Sequence, residues 1–245
     1  MFTPQTDRIK TLANKNPKVI EDLENIFDNT SCVYIDFGNV VHWQDRLGWH
    51  ICLKRLKQLL DSFDTIKNIN FYYGTLEDNQ ESEEMSKSIK KYRYNLITKW
   101  VKKIKKSIDT TSIEISSPSL LKGFIRKILL DKLKVETIEM LNNELKDLNK
   151  KGILFLEDQK CNFDVELGMD ILTNDKEGDI NNFILWSGDS DFAFPIQELL
   201  KHGKKVVIFS TSRKSSTELA ETKAQIFDIR KIKTFICWKR EMTEK

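Results

Sequence analysis

The sequence predicts a three-layer α/β domain with a mostly parallel sheet. Short apolar runs rich in β-branched and aromatic residues alternate along the chain with segments whose apolar residues recur at helical spacing. At 245 residues the chain is long enough to bury a proper core. Two of the apolar runs also stop abruptly at turns carrying acids, which puts those acids at the carboxyl ends of strands, where open parallel sheets bind ligands.

Composition narrows the function. Hydrophobic content of 40% against charged content of 31% fits a soluble globular protein, and Lys+Arg 40 against Asp+Glu 37 permits a nucleic-acid partner without indicating one. Cys32, Cys52, Cys161 and Cys237 are scattered, with no Cys-x-x-Cys pair, so reduced thiols in an intracellular, cytoplasmic protein are expected. Three histidines make a His-rich zinc site a poor expectation. No apolar run approaches the ~18 residues of a membrane span, and the amino terminus lacks a secretory apolar core.

Taken in order, residues 1–17 read as polar and loose, and Pro17 opens a helix through Val19, Ile20, Leu23, Ile26 and Phe27. Cys32 to Ile35 is the first strand, and Asp36-Phe37-Gly38-Asn39 follows it. One helix with an apolar face at Leu47, Ile51, Leu56, Leu59, Leu60 and Phe63 leads to a strand at Ile69–Tyr73. Residues 79–92 form a helix with an acidic first turn, and Tyr94–Val101 favours a strand through its β-branched and aromatic content. Nine Lys or Arg between Lys87 and Lys106, interleaved with Tyr92, Tyr94 and Trp100, suit either a solvated face or single-stranded nucleic acid.

Across 119–151, Ile128, Val135, Ile138, Leu141, Leu145 and Leu148 space like a coiled-coil seam, which serves either intramolecular packing or a homodimer. Ile153–Leu156 then reads as a return to the core. Lys160 to Asp170 is a loop entering a helix, with Asp164 in its first turn and Asp170 on a different face. Phe183-Ile-Leu-Trp is a buried strand that ends in Ser187-Gly-Asp-Ser-Asp-Phe192, and a helix follows through Ile196, Leu199 and Leu200. Gly203 stops that helix, Val206–Phe209 is another strand, residues 211–216 are a polar turn, and Ala224–Ile229 is the last apolar run.

Single acids at such places are often only turn or cap residues. Asp36, Asp164, Asp189 and Asp191 taken together suggest more, because crowded carboxylates need a neutralising cation, and an all-oxygen set selects Mg²⁺ or Mn²⁺. Such an ion suits hydrolysis of a nucleic-acid backbone.

Three blocks resemble the signature of the NYN domain, a family that includes LabA-like proteins and lies within the PIN-like nuclease superfamily: Ile35-Asp-Phe-Gly-Asn39, Lys160-Cys-Asn-Phe-Asp-Val-Glu-Leu167, and Ser187-Gly-Asp-Ser-Asp-Phe192. The likeness spans most of residues 31–235. It implies a Rossmann-like α/β/α sandwich, a metal-dependent endoribonuclease, and Asp36, Asp164, Asp189 and Asp191 as both catalytic and metal-binding acids. It also implies RNA as partner, with Asn39, Ser187, Ser190, Lys99, Lys102 and Lys103 meeting substrate. The expected layout is an N-terminal helical extension at 1–30, the NYN domain at 31–237 with a helical insertion at about 107–152, and a tail at 238–245. A catalytically silent RNA- or protein-binding module that keeps the acidic pocket is the alternative. A phosphatase or nucleotide-handling enzyme is less favoured, since no Gly-rich phosphate loop is present.

Overall fold

The computed structural model describes residues 1–211 and 216–238. Most of the polar turn expected at 211–216, and all but the first residue of the tail, therefore lie outside the described residues. The chain folds as two compact units, one made of Met1–Trp100 with the chain from Cys161 onward, the other of Val101–Lys160.

The first unit begins with α1 (Asp7–Lys15), α2 (Pro17–Ile26), β1 (Ser31–Asp36), α3 (Phe37–Leu47), β2 (His50–Ile51), α4 (Leu53–Leu60), β3 (Ile66–Thr75), α5 (Gln80–Lys91) and β4 (Asn95–Trp100). The second unit holds β5 (Lys102–Ser107), α6 (Lys127–Leu130), α7 (Val135–Lys150) and β6 (Phe155–Lys160). The first resumes with α8 (Asp164–Glu177), β7 (Asn182–Trp186), α9 (Ala193–Lys201), β8 (Lys205–Ser210), α10 (Thr217–Glu221), β9 (Gln225–Asp228), α11 (Lys233–Ile236) and β10 (Cys237–Trp238).

Its six-stranded sheet has the order β4-β3-β1-β7-β8-β9, and every neighbouring pair is parallel. The chain builds outward from β1 to β3 and β4, then restarts beside β1 with β7 and builds the other way. This is the doubly wound order, and it leaves a crevice at the carboxyl ends of β1 and β7 where the direction reverses. Both faces of the sheet are covered, so its strands read as nearly unbroken apolar runs. Val33, Ile35, Ile184, Trp186, Val207 and Phe209 share one core with Leu23, Val40, Leu56 and Ile89. Cys32, Tyr34, Phe183, Leu185, Val206 and Ile208 turn to the other, with Leu167, Ile171, Ile196 and Leu199. The architecture is the expected three-layer α/β/α sandwich.

Several local expectations are corrected. Residues 7–15 are not loose: Thr6 accepts from the Ile9 N–H to cap α1, and Ile9 and Ala13 are buried. Ile9, Leu12 and Ala13 stand at helical spacing, so the short helix has an apolar face to pack. The single helix expected after β1 is two helices. Gly48 adopts φ +61 and ends α3, after which Ile51 of β2 pairs antiparallel with Cys237 of β10 before α4 begins.

In the second unit, Ile153–Leu156 does not return to the core. Phe155 is 54% exposed, and β6 pairs antiparallel with the lysine-rich β5, Ile104 lying opposite Asp158 and Lys105 opposite Glu157. The acids that follow the apolar residues favour this partner, and Lys106 meets Asp158 at 2.7 Å. The leucine seam is also broken between α6 and α7. Ile138, Leu141 and Leu145 pack with Leu121 and Leu130, while Ile128 is 78% and Val135 55% exposed.

No helix among the described residues is long and apolar enough to cross a membrane. Phe209 stacks on Trp186 at 5.1 Å and touches Phe27 and Phe227, so Phe209→Ala is expected to cost about 3–5 kcal/mol in urea unfolding. Ile128→Ala, at an exposed position, should stay within about 0.5 kcal/mol of the parent.

Candidate functional site

The crevice between β1 and β7 is walled by a hydrogen-bonded chain. Asp36, the last residue of β1, caps α3 and is only 8% exposed. Its Oδ1 accepts from the Asn39 backbone N–H at 3.4 Å, and its Oδ2 accepts from Asn39 Nδ2 at 2.8 Å and from Ser187 Oγ at 3.1 Å. Ser187 follows β7 and is fully buried, and its Oγ also accepts from the Asp189 N–H at 3.2 Å. Asp189 in turn caps the 3₁₀ turn Ser190–Phe192, accepting from the Asp191 N–H at 3.2 Å.

Asp164, the first residue of α8, completes the group. Ligand-capable oxygens of Asp164, Asp189 and Asp191 lie within 4.8 Å of one another, and Asn162 Nδ2 donates to Asp164 at 2.7 Å. Asp36 is not one of this trio, but its charge is felt by it. Burial raises the Asp164 carboxyl above its ordinary value of 3.8, and the charges of Asp189, Asp191 and Asp36 raise it further. Burial also raises Asp36, opposed by the hydrogen bonds from Asn39 and Ser187 and reinforced by Asp189. Three close carboxylates with an excess of negative charge, and neither sulfur nor imidazole among them, suit a hard divalent cation.

The other candidate residues fall at varying remove. Asn39 and Ser187 bond to Asp36 as described. Ser190 stands on the turn between Asp189 and Asp191, partly exposed. Lys99 donates to both oxygens of Glu166, at 2.7 and 2.8 Å, and lies 5.0 Å from the centre of the Phe163 ring. Lys102 and Lys103 are exposed on β5 in the second unit, opposite Lys160 and Gln159. Asp170 stands apart from the trio and accepts from the Tyr72 hydroxyl at 2.6 Å. Asn162 and Glu166 escaped sequence reading, although Asn162 stands two residues before Asp164, a spacing at which a side-chain amide reaches a carboxylate.

Residues 118–230 match the NYN domain family. The match covers a little under half of the chain, and over that span the chain is similar to the NYN family. The matched span includes Asp164, Ser187, Asp189, Ser190 and Asp191, while Asp36 and Asn39 precede it, on and after a strand that lies between β3 and β7 in the same sheet. NYN domains belong to the PIN-like superfamily and are generally ribonucleases, and PIN-like nucleases use divalent metal ions. A solved structure of a protein of unknown function from Vibrio parahaemolyticus is similar over 84% of this chain and 94% of that one, with 13% identity and a TM-score of 0.51. At that identity the likeness speaks to the fold. No curated protein matches the chain.

Repulsion within the clustered carboxylates sets a measurable expectation. The ionised form of Asp164 is costlier in the folded chain, which alone bears the burial and the crowding, than in the unfolded one. As pH falls through the raised native value, the native carboxyl takes up its proton first and the penalty fades. Asp164→Asn is therefore expected to melt above the metal-free parent at neutral pH, with the gap closing on acidification. A divalent cation should raise the melting temperature of the parent and leave the variant less affected, as read by calorimetry.

Proposed function

We propose that this NYN domain is a metal-dependent endoribonuclease that hydrolyses phosphodiester bonds in single-stranded RNA. The observation that carries the reading is the meeting of Asp164, Asp189 and Asp191 at the strand-order reversal of a parallel sheet. Their oxygens would hold Mg²⁺ or Mn²⁺, and Asp36 faces them electrostatically from the buried side of the crevice. Bound there, such an ion supplies charge neutralisation at the phosphate and a more acidic water.

The chain's own contribution is orientation. Asn39 and Ser187 fix the Asp36 carboxylate from two elements, while Asn162 and the cap at Asp189 fix the other two sides. Acids held this way need no rearrangement when a phosphate arrives. Ser190 and Lys99, and Lys102 and Lys103 of the second unit, would meet the sugar-phosphate backbone. The four free cysteines fit a reducing, cytoplasmic setting.

The test is cleavage of labelled single-stranded RNA and DNA with Mn²⁺, Mg²⁺ or EDTA. Asp189→Asn and Asp36→Asn are each expected to lower the metal-dependent rate by about 10²-fold or more while leaving the fold intact. Parent-like cleavage by Asp189→Asn sinks the assignment. Ser187→Ala and Asn39→Ala, which touch the acids rather than join them, should cost about 10–100-fold in activity or in metal affinity measured by calorimetry.

A further inference from the structure

On the α5 side of β4 lies a groove of about 800 Å³ that the carboxylate group does not use. Strand alternation builds it. Leu96, Thr98 and Trp100 border the groove, whereas Ile97 packs in the opposite core and the Lys99 side chain reaches Glu166 of α8. Lys87 and Lys90 from α5 line the other wall. Trp100 is 66% exposed, while Trp43, Trp49 and Trp186 are buried, so its indole has a free face rather than a place in a core.

The charges of the groove decide what it can take. Lys87 and Lys90 face Glu77, Asp78 and Glu83, the Lys99 ammonium being held by Glu166 outside the groove, and Lys87 already lies 3.6 Å from Glu83. A wall with one acid in excess has no net attraction for a phosphate. It does offer donors and acceptors around an aromatic platform, which suits an uncharged heteroaromatic ring with both kinds of group on its edge. The groove also opens at the carboxyl edge of the sheet, where β4 ends. That strand is two positions from β1 and three from β7, about 10 and 14 Å across the sheet, within reach of one short strand passing from the carboxylates to Trp100.

We infer that the groove binds an unpaired nucleobase of single-stranded RNA, stacked on Trp100, next to the bond that is cut. The ligand's identity as RNA rests on the nuclease reading above. A duplex keeps its bases stacked and paired and cannot offer one to the indole, so the groove selects single strands.

The experiment is an equilibrium titration in EDTA with a fluorescently labelled single-stranded RNA hexamer, alongside a blunt duplex of the same length. The parent should bind the single strand with quenching of tryptophan emission and bind the duplex far more weakly. Trp100→Ala should weaken single-strand binding by about 5- to 100-fold, as expected for loss of one base stack. Trp100→Phe should recover most of that loss, and an unchanged far-UV spectrum would exclude a folding defect. Equal affinity of Trp100→Ala and parent, equal binding of the duplex, or no RNA binding by the parent overturns the inference; the last would leave the groove to a polypeptide. Because no cleavage is read, the two proposals separate. Parent-like cleavage by Asp189→Asn with lost affinity in Trp100→Ala refutes the nuclease and keeps the groove, and the converse refutes the groove alone.

Discussion

The hydrogen bond from Ser187 Oγ to Asp36 Oδ2, 3.1 Å long, ties together the ends of the two strands at which the sheet changes direction. It forms because β1 and β7 pair in parallel with Ile35 opposite Trp186, so the residues that follow each strand emerge side by side. A slip of one residue would turn Ser187 to the opposite face and separate the Asp189 turn from Asp36. Register here is held from both sides, since alternate residues of β1 and β7 enter two different cores. The same bond, together with those from the Asn39 backbone and side chain, offsets part of the cost of burying the Asp36 carboxylate.

Capping and clustering are not rival descriptions of these acids. Asp36 caps α3 and Asp189 caps the turn after it, and a cap is worth about 0.5–2 kcal/mol. A cap needs an acceptor, however, and Asn or Ser would serve without crowding three carboxylates inside 4.8 Å. Asp191 donates its backbone N–H to Asp189 while its own carboxylate faces the others, so local structure gains nothing from its charge. The arrangement carries more repulsion than the turns require, which is the pattern expected where a fold gives up stability to a site.

Much of this was legible from the chain. Apolar runs ended by acids gave the strands β1 and β7 and the turns after them, because a parallel strand buried on both faces has a distinct composition and an abrupt end. The meeting of Asp164 with Asp189 and Asp191 was suggested by motif order, since spacing alone says nothing about where α8 starts relative to β7. The failures share a cause: short apolar stretches without a fixed partner. Ile153–Leu156 has the composition of a core strand, yet the acids beside it pair it with β5 instead. The seam from Ile128 to Leu148 keeps its heptad spacing across a break between α6 and α7, so periodicity continued where the helix did not. Gly48 was present in the sequence as a stop signal, but the apolar residues on either side of it masked the break.

Charge is divided unequally between the two units. Residues 101–160 contain 13 Lys or Arg against 9 Asp or Glu, leaving 27 against 28 in the rest of the chain, so the whole excess of positive charge belongs to the second unit. The unit that holds the carboxylates thus has no net field to draw in a polyanion, and near the crevice its local charge opposes one. At physiological ionic strength that opposition acts over roughly 8 Å. For the proposed reaction a cation is therefore a condition of substrate approach as well as of chemistry. The exposed lysines of β5 belong to the unit that carries the positive excess, so on the proposed reading any longer-range attraction for a polyanion originates there.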